Sequence, residues 1–523
     1  MVPKKNQLAT AGPKTTTGAR APDPTAGGGG AFATNHLLSG IKGRTISSSM
    51  VTFAAQGAQA VLQVGSIVVL ARLLTPVDFG LLGMVLYITG FLRVFNDAGL
   101  STATVQREGI TEAQVSNLFW TNVALGGLAT GLLAAAAPLV AWFYKEPRLV
   151  AVTLAVSITF LLTGATVQHL ALLKRQMRFG AIAVIQTIAM AMGVVVATLM
   201  AWLGCGYWSL VGMQVAPPLL TFVLTWTTSR WRPHLPQRGH GMGELLGFGA
   251  NLTASSFLWS LAKGSDAMLI GKVYGAASLG LYTRAASLFQ RPVELFIDPL
   301  NYVIVPTLSR LQSHPERYHR TYMRVFELVA VVSFLLSGLL LALAKPMTLV
   351  LLGAKWGEAA SISASLTLVA MYHPIACANG WLLTSQCRGR EALILSIISS
   401  VAAVISFLIG LRFGPVGVAL CYSISCLLVR LPVAFYITGR QGPVGTQEQW
   451  SRFLTHLPVW VIVCGSTVVI QKLVAEMKPM TQLLICVPAG LTVGAAFIFA
   501  YPPARRSILG LVEALREFKK GRA

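Results

Sequence analysis

The sequence predicts an all-α, polytopic membrane protein with about 14 transmembrane helices, arranged as two pseudo-symmetric six-helix lobes plus two C-terminal helices. Three observations predict this class. Of the 523 residues, 54% are hydrophobic and only 11% are charged, whereas a soluble protein carries about 25% charged residues. Apolar stretches of about 20 residues, the length that crosses a bilayer, recur along the chain. Two patterns of the first half return in the second half.

The chain begins with a polar segment and continues as a series of apolar spans. Residues 1–45 are rich in glycine and proline and have no apolar run of signal-peptide length, so they are predicted to form a disordered cytoplasmic tail. The N-terminal lobe, residues 46–230, follows directly. Its spans are expected at about 47–71, 80–101, 116–143, 149–173, 180–203 and 207–229.

The second lobe repeats this plan and the extra helices follow it. The C-terminal lobe, residues 244–440, is expected to contain spans at about 245–271, 278–308, 324–344, 359–386, 392–411 and 415–438. The region 453–502 is expected to hold the two additional helices, at about 454–475 and 481–501. A basic cytoplasmic tail, 503–523, ends the sequence.

The basic residues predict the orientation of these spans. If the N-terminus is cytoplasmic, the inner segments hold 27 of the 41 Lys and Arg residues, and the outer loops hold nine. Cytoplasmic loops of membrane proteins collect Lys and Arg. Both termini are therefore expected in the cytoplasm, and the net charge of +23 needs no nucleic acid partner to explain it.

An internal repeat relates the two lobes. Residues 70–81 (LARLLTPVDFGL) resemble residues 270–281 (IGKVYGAASLGL), with a glycine and a basic residue in register. The matched positions are Gly80 and Gly280, Leu81 and Leu281, and Arg72 and Lys272. A second match, 210 positions apart, pairs Leu172, Leu173, Gln176 and Arg178 with Leu382, Leu383, Gln386 and Arg388. Both matches fall six spans apart, an even number, so the lobes are expected to share one orientation and a pseudo-axis along the membrane normal.

Charged residues inside the predicted spans mark the candidate site. The cations are Arg93, Lys263, Arg284, Arg291 and Arg430, and the carboxylates are Asp97, Asp266, Glu294 and Asp298. A charge at the centre of a membrane helix costs about 2.5–3.5 kcal/mol, so these groups are expected to face a water-filled cavity or one another. Arg284, Arg291 and Asp298 are spaced by seven residues and share one stripe of the eighth span.

The cations suit an anionic headgroup. We predict that Arg93, Lys263, Arg284 and Arg291 bind it, and that Asp97, Asp266, Glu294 and Asp298 serve as counter-ions or in ion coupling. Arg93 and Arg291 stand about equally deep on repeat-equivalent helices, and guanidinium forks bond phosphate oxygens in pairs. An alternative stays open, in which each cation neutralises a neighbouring carboxylate and fastens helices together. For Arg430 we expect a side chain that reaches the membrane interface.

Missing motifs exclude several kinds of function. The seven cysteines form no CxxC pair and the eight histidines lack metal-ligand spacing. No phosphate loop of the GxxxxGK[ST] type occurs, because Gly271 and Lys272 are followed by Val273. The sequence therefore predicts no metal site, no catalytic site and no nucleotide hydrolysis. No cofactor is expected, and the carboxylates beside the arginines suggest coupling to a proton or a sodium ion.

Four short segments resemble a known family. Residues 70–81, together with FNDAGLSTA at 95–103, VQR at 105–107 and FWTN at 119–122, resemble the Wzx-type polysaccharide flippases, most closely the WzxC-like branch. That family belongs to the superfamily that also contains multidrug and toxin extruders and the lipid II flippase. The motif resemblance covers about residues 68–122, and the remainder is similar in helix number and repeat.

The resemblance implies translocation of undecaprenyl-pyrophosphate-linked oligosaccharide across the bacterial inner membrane by alternating access, for exopolysaccharide or lipopolysaccharide biosynthesis. The implied partners are this lipid, other membrane lipids and other polysaccharide assembly proteins. A multidrug exporter of the same superfamily is the alternative. A polysaccharide polymerase or ligase is less consistent with the sequence, because the longest outer segment, about 345–358, is short for an enzyme's outer loop.

Overall fold

The computed structural model describes residues 41–97, 100–106, 110–237 and 264–507, except for the side chains of residues 41–50, 53, 91, 93–97, 103 and 106. Within these ranges the chain forms helices with short connections and contains no β-strand. The predicted all-α class is confirmed. The predicted tails up to residue 40 and from residue 508, and the predicted span 245–271 up to residue 263, lie outside the described residues.

Sixteen α-helices occur in the described ranges, and most coincide with predicted spans. They are α1 Ile41–Leu73, α2 Pro76–Asp97, α3 Leu100–Gln106, α4 Glu112–Tyr144, α5 Leu149–Arg175, α6 Phe179–Trp202, α7 Trp208–Ser229, α8 Ser265–Arg310, α9 Pro315–Ala342, α10 Ala344–Leu351, α11 Ala359–Ser385, α12 Gly389–Gly410, α13 Gly414–Ser425, α14 Leu431–Gly439, α15 Thr446–Leu473 and α16 Pro479–Ala500.

Ten helical stretches in the described part of the chain are long and apolar enough to cross a membrane. One of them, Gly389–Gly439, contains two predicted spans, which are joined by the turn Leu411–Phe413. α8 is not among the ten, and its sequence contains seven charged residues: Asp266, Lys272, Arg284, Arg291, Glu294, Asp298 and Arg310. The protein is a multi-pass membrane protein, and a total of 14 spans is consistent with these helices.

α8 consists of two helical segments that meet at Gly275. The backbone of Gly275 has φ 78° and ψ −174°, a conformation that is open to glycine and disfavoured for residues with a Cβ. The break lies between the predicted spans 245–271 and 278–308, as the hydropathy pattern requires. The second segment carries Arg284 and Arg291.

Two other predicted spans are interrupted within the membrane region. The predicted span 80–101 is α2 followed by α3, with residues 98 and 99 outside the described ranges. The predicted span 415–438 contains a π-helical turn, Cys426–Arg430, between α13 and α14. Hydropathy measures apolar character over a window of residues, so it does not detect a change of hydrogen-bond pattern inside an apolar run.

The sequence repeat at Arg178 and Arg388 corresponds to one repeated contact. Nη1 of Arg178 donates to the carbonyl of Thr228 at 3.3 Å, and Nη1 of Arg388 donates to the carbonyl of Thr438 at 2.9 Å. Arg388 lies 210 positions after Arg178, and Thr438 lies 210 positions after Thr228. In each case the guanidinium lies at the C-terminal end of the last helix of its half, where carbonyl oxygens lack helical partners and attract a cation.

The glycine repeat corresponds to a second shared contact, between the two halves. A Cβ at Gly80 would overlap the backbone carbonyl of Ala276, and a Cβ at Gly280 would overlap that of Pro76. The two contacts are related by the offset of 200 positions. α2 and α8 therefore cross with their backbones touching, which requires glycine at both positions. We call this pair of contacts the glycine crossing.

The glycine crossing lies in the main contact between the halves. In the first half, α4 packs along α5 and α6 packs along α7. In the second half, α8 and α9 pack along α11. The principal contact between the halves is that of α2 with α8. We propose the predicted division, with residues 46–230 as the N-terminal lobe and residues 244–440 as the C-terminal lobe. The candidate site begins beside the glycine crossing.

Candidate functional site

Arg284 occupies the junction between the lobes. It lies one turn after Gly280, and the close approach of α2 brings the Phe79 ring to 4.8 Å from the guanidinium carbon. Nε of Arg284 is buried without a hydrogen-bond partner, and Tyr87 and Arg291 are near enough to interact with it electrostatically. Among the described residues, no carboxylate lies within 4.0 Å of Arg284. Within the described residues, the Arg284 guanidinium thus has no ion-pair partner.

Arg291 lies two turns further along the same stripe and differs from Arg284. Its Nη1 is 2.8 Å from Oε2 of Glu294. The Arg291 side chain is 44% exposed and the Glu294 side chain is 40% exposed. Asp298, the third member of the stripe, is exposed. Arg291 is thus already paired, as the alternative interpretation of the sequence anticipated, although ligand binding at this position remains a prediction.

Three predicted site residues lie outside the described residues. They are the side chains of Arg93 and Asp97 on α2, and Lys263 just before α8. The predicted binding of an anionic headgroup by Arg93 and Lys263, and the predicted role of Asp97 as a counter-ion or in ion coupling, remain predictions. Of the eight predicted site residues, the structure describes the side chains of Arg284, Arg291, Asp266, Glu294 and Asp298.

Asp266 lies on the short first segment of α8 and contacts the second segment. Its Oδ2 accepts a hydrogen bond from the Tyr282 hydroxyl at 2.7 Å. Tyr87 of α2 and Tyr422 of α13 are within electrostatic range of the same carboxylate. The hydrogen bond spans the break at Gly275, so a change in the charge of Asp266 would act on the geometry of α8.

Arg430 belongs to the same aromatic environment, a placement that the sequence analysis did not predict. Its guanidinium carbon lies 5.1 Å from the centre of the Tyr372 ring and 5.3 Å from that of the Tyr422 ring. Its Nη1 is 3.2 Å from Sγ of Cys426, one turn earlier. Helical side chains lean toward the N-terminus of their helix, and two aromatic faces hold this cation there. That Arg430 reaches the membrane interface remains a prediction.

A signal for this environment was present in the sequence. Tyr422, Cys426 and Arg430 are spaced by four residues and so follow one face of a helix. The π-helical turn Cys426–Arg430 rotates that face, and such turns are frequent at functional sites. The two arginines, Arg284 and Arg430, share one property: each contacts aromatic rings, and neither forms an ion pair with a described carboxylate.

This arrangement can bind anions. Charge-assisted hydrogen bonds from guanidinium to phosphate are among the strongest in proteins, and aromatic faces leave the donor groups of a stacked arginine free at its edge. In the described ranges no group of three or more His, Cys, Asp or Glu side chains could hold a metal ion. Recognition of a negatively charged headgroup by these residues remains a prediction.

Comparison with known families gives one match that covers more than half of the chain. Residues 69–361 match the model of a family described as polysaccharide biosynthesis protein. The chain is 26% identical over 362 residues to the teichuronic acid biosynthesis protein TuaB of Bacillus subtilis, covering 69% of this chain and 73% of that protein. It is 23% identical over 410 residues to the lipopolysaccharide biosynthesis protein WzxC of Escherichia coli, covering 75% and 82%.

Solved structures with the same fold are transporters. The lipid II flippase MurJ in an inward closed conformation matches with a TM-score of 0.65 at 14% identity, covering 86% of this chain and 98% of that one. An inward-facing multidrug resistance transporter of the MATE family matches with a TM-score of 0.59 at 12% identity, covering 75% and 96%. The predicted transporter architecture is confirmed at the level of the fold.

Proposed function

Because the chain belongs to the polysaccharide biosynthesis protein family, as its motifs indicated, we propose that it is a flippase for undecaprenyl-pyrophosphate-linked oligosaccharides in the bacterial inner membrane. Relatives named for teichuronic acid and lipopolysaccharide biosynthesis support this substrate class. The succinoglycan biosynthesis transport protein ExoT of Rhizobium meliloti, 28% identical over 302 residues that cover 57% of this chain and 61% of that protein, supports a transport role. The oligosaccharides that this chain translocates would be built into exopolysaccharide or lipopolysaccharide by other assembly proteins.

The observation that carries the proposal is the buried guanidinium of Arg284, which has no ion-pair partner among the described residues. A guanidinium buried at the junction of two lobes, without a described carboxylate partner, is stabilised when a phosphate group binds it. A pyrophosphate and its sugars cannot cross hydrocarbon unaided, whereas the polyprenyl chain remains in the lipid. The residues of the site bind and release a ligand, and we assign no catalytic step to them.

The contacts between the lobes support alternating access. Three hydrogen bonds between described residues of the two lobes lie at one end, where α1 ends and α2 begins. The glycine crossing lies at the same end. If this end faces the periplasm, the site is reached from the cytoplasm, and rocking of the lobes would carry the headgroup outward. We propose this orientation, with both termini cytoplasmic.

The orientation has a direct test. A reporter fused at Gly241 should be cytoplasmic, and one fused at Lys478, in the connection between α15 and α16, should be periplasmic. An alkaline phosphatase fusion should accordingly be active at Lys478 and inactive at Gly241, with a β-galactosidase fusion giving the opposite pattern. Equal activity of one reporter at both positions would contradict the proposed topology.

The function is tested by deletion of the gene. A strain without the protein should accumulate undecaprenyl-pyrophosphate-linked oligosaccharide in the inner membrane and lose the corresponding polymer, and the wild-type gene should restore both. Susceptibility to lipophilic cationic drugs should not change. Loss of drug resistance with normal polymer and no accumulated lipid would favour the multidrug exporter.

Coupling to an ion gradient is proposed to use Asp266. This carboxylate bridges the two segments of α8 through Tyr282, so a change in its charge is transmitted to the helix that carries Arg284. Asp266→Asn should reduce the flipping rate in proteoliposomes to the level measured without a pH or sodium gradient. Glu476→Gln, at an exposed carboxylate in the connection between α15 and α16, serves as the control and should keep the gradient response. A full gradient response in Asp266→Asn would leave Asp266 a structural residue.

A further inference from the structure

Arg72 makes a contact that crosses from the N-terminal to the C-terminal lobe. It lies in the last turn of α1, and its Nη2 donates to the backbone carbonyl of Val350 at 3.0 Å. Val350 lies in the last turn of α10. The carbonyl oxygens of a last turn lack intrahelical partners and carry the negative end of the helix dipole, so they attract a cation.

Lys272 makes the corresponding contact in the opposite direction. It belongs to α8, and its Nζ donates to the carbonyl of Phe143, in the last turn of α4 in the N-terminal lobe. The ammonium group also lies 4.4 Å from the centre of the Phe143 ring, a distance at which a cation is attracted to an aromatic face. Each lobe therefore sends one cation to a helix C-terminus of the other lobe.

The two contacts are related by the internal repeat. Arg72 and Lys272 occupy matched positions, 200 residues apart, in the segments 70–81 and 270–281. The helices that carry the acceptors also correspond. In the first lobe, α4 follows the long helices α1 and α2. In the second lobe, α9 and α10 follow the two segments of α8. The contacts therefore form a pseudo-symmetric pair on either side of the glycine crossing.

The remaining contacts at this end depend on the lobes staying together. Trp356 of the C-terminal lobe is completely buried, and its Nε1 donates to the carbonyl of Ala71 at 2.8 Å. Its ring lies 5.3 Å from that of Phe79. Neither Arg72 nor Lys272 forms an ion pair with a described carboxylate of its own lobe. Both cations are themselves exposed, so opening this end would break their two contacts with the other lobe and would expose Trp356.

We propose that Arg72 and Lys272 are reciprocal latches that stabilise the state closed at this end, and so set the fraction of time for which the end is open. They are positioning residues and touch no substrate. In the proposed flippase, these two contacts would oppose the opening of this end, and in that respect the inference rests on the proposed function. The closure of this end does not depend on which substrate the protein carries.

The test measures opening without substrate. Hydrogen–deuterium exchange, followed by mass spectrometry on purified protein in nanodiscs, should show faster exchange at 71–80 and 350–358 in Arg72→Ala and in Lys272→Ala. A cation at a helix C-terminus shifts such an equilibrium by about two- to fivefold, and the double variant should show roughly the product. Arg72→Lys, which keeps the charge, should exchange more slowly than Arg72→Ala.

Two controls distinguish opening at this end from a loss of stability of the whole protein. Lys355→Ala removes an exposed basic residue from the same end that bonds nothing in the described chain, and it should exchange like wild type. Segment 385–391, at the opposite end of α11, should be unaffected in all variants. Wild-type exchange at 71–80 and 350–358 in both alanine variants would overturn the proposal, as would an equal increase along the whole chain. The experiment uses no lipid-linked substrate, so failure of the flippase assignment would leave its result intact.

Discussion

Replacing Gly280 by alanine should reduce polymer export by about 5- to 140-fold at equal membrane expression, and Gly80→Ala should do the same. A methyl group at Gly280 would overlap the backbone carbonyl of Pro76, and one at Gly80 would overlap that of Ala276. A backbone atom held in a helix cannot turn aside as a side chain can, so α2 and α8 must separate. Overpacking typically costs about 1–3 kcal/mol, and each 1.4 kcal/mol is a factor of ten in an equilibrium.

A matched control lies on the same helix. A Cβ at Gly90 of α2 would meet no described atom within 4 Å, so Gly90→Ala should export polymer like wild type. Export is measured by complementing the deletion strain, with membrane levels compared by immunoblotting. If Gly80→Ala and Gly280→Ala both export normally, the glycine crossing is not required for closure of this end.

Replacing Arg284 by alanine should weaken binding of the pyrophosphate headgroup by about 10- to 100-fold. Hydrogen bonds to charged groups contribute roughly 1.5–3 kcal/mol, which corresponds to this range of affinity. Arg284→Lys should restore part of the binding, because it returns the charge without the planar fork. Binding of a short-chain polyprenyl pyrophosphate is measured on purified protein, and export is measured in the complemented strain.

Two other arginines provide comparisons for Arg284. Arg291→Ala should have a smaller effect than Arg284→Ala, because Arg291 already pairs with Glu294. Arg148→Ala should have none, because Arg148 lies in the connection between α4 and α5 and pairs there with Glu146. If Arg284→Ala binds the pyrophosphate like wild type, the headgroup is held by other residues and the assignment of Arg284 is wrong.

The sequence predicted the helices well for a physical reason. Backbone groups in hydrocarbon must be bonded within their own segment, so an apolar run of sufficient length has only the helix available. Predicted spans such as 149–173 and 359–386 accordingly match α5 and α11 within about two residues. The π-helical turn in the predicted span 415–438 was missed, because its backbone bonding changes while its apolar character does not.

The candidate site was less accessible to prediction from the sequence. Spacing placed Arg284 and Arg291 on one stripe, but their different partners depend on how α2 approaches α8. Only the glycine crossing, which is a property of two distant segments, brings Phe79 to Arg284. The position of Arg430 depends likewise on Tyr372 of α11. The repeat indicated that Gly80 and Gly280 are equivalent, but not that the two segments contact each other.

The glycine crossing has a consequence for the origin of the chain. Its two contacts are isologous, as in a two-fold dimer, because the same patch of each lobe contacts the other. Two separate copies of one lobe could form this contact with each other, so it is compatible with a homodimeric ancestor. Once the lobes are joined in one chain, they are free to differ. The lobes differ in this way at two matched positions of the repeat: Pro76 corresponds to Ala276, and Arg72 corresponds to Lys272.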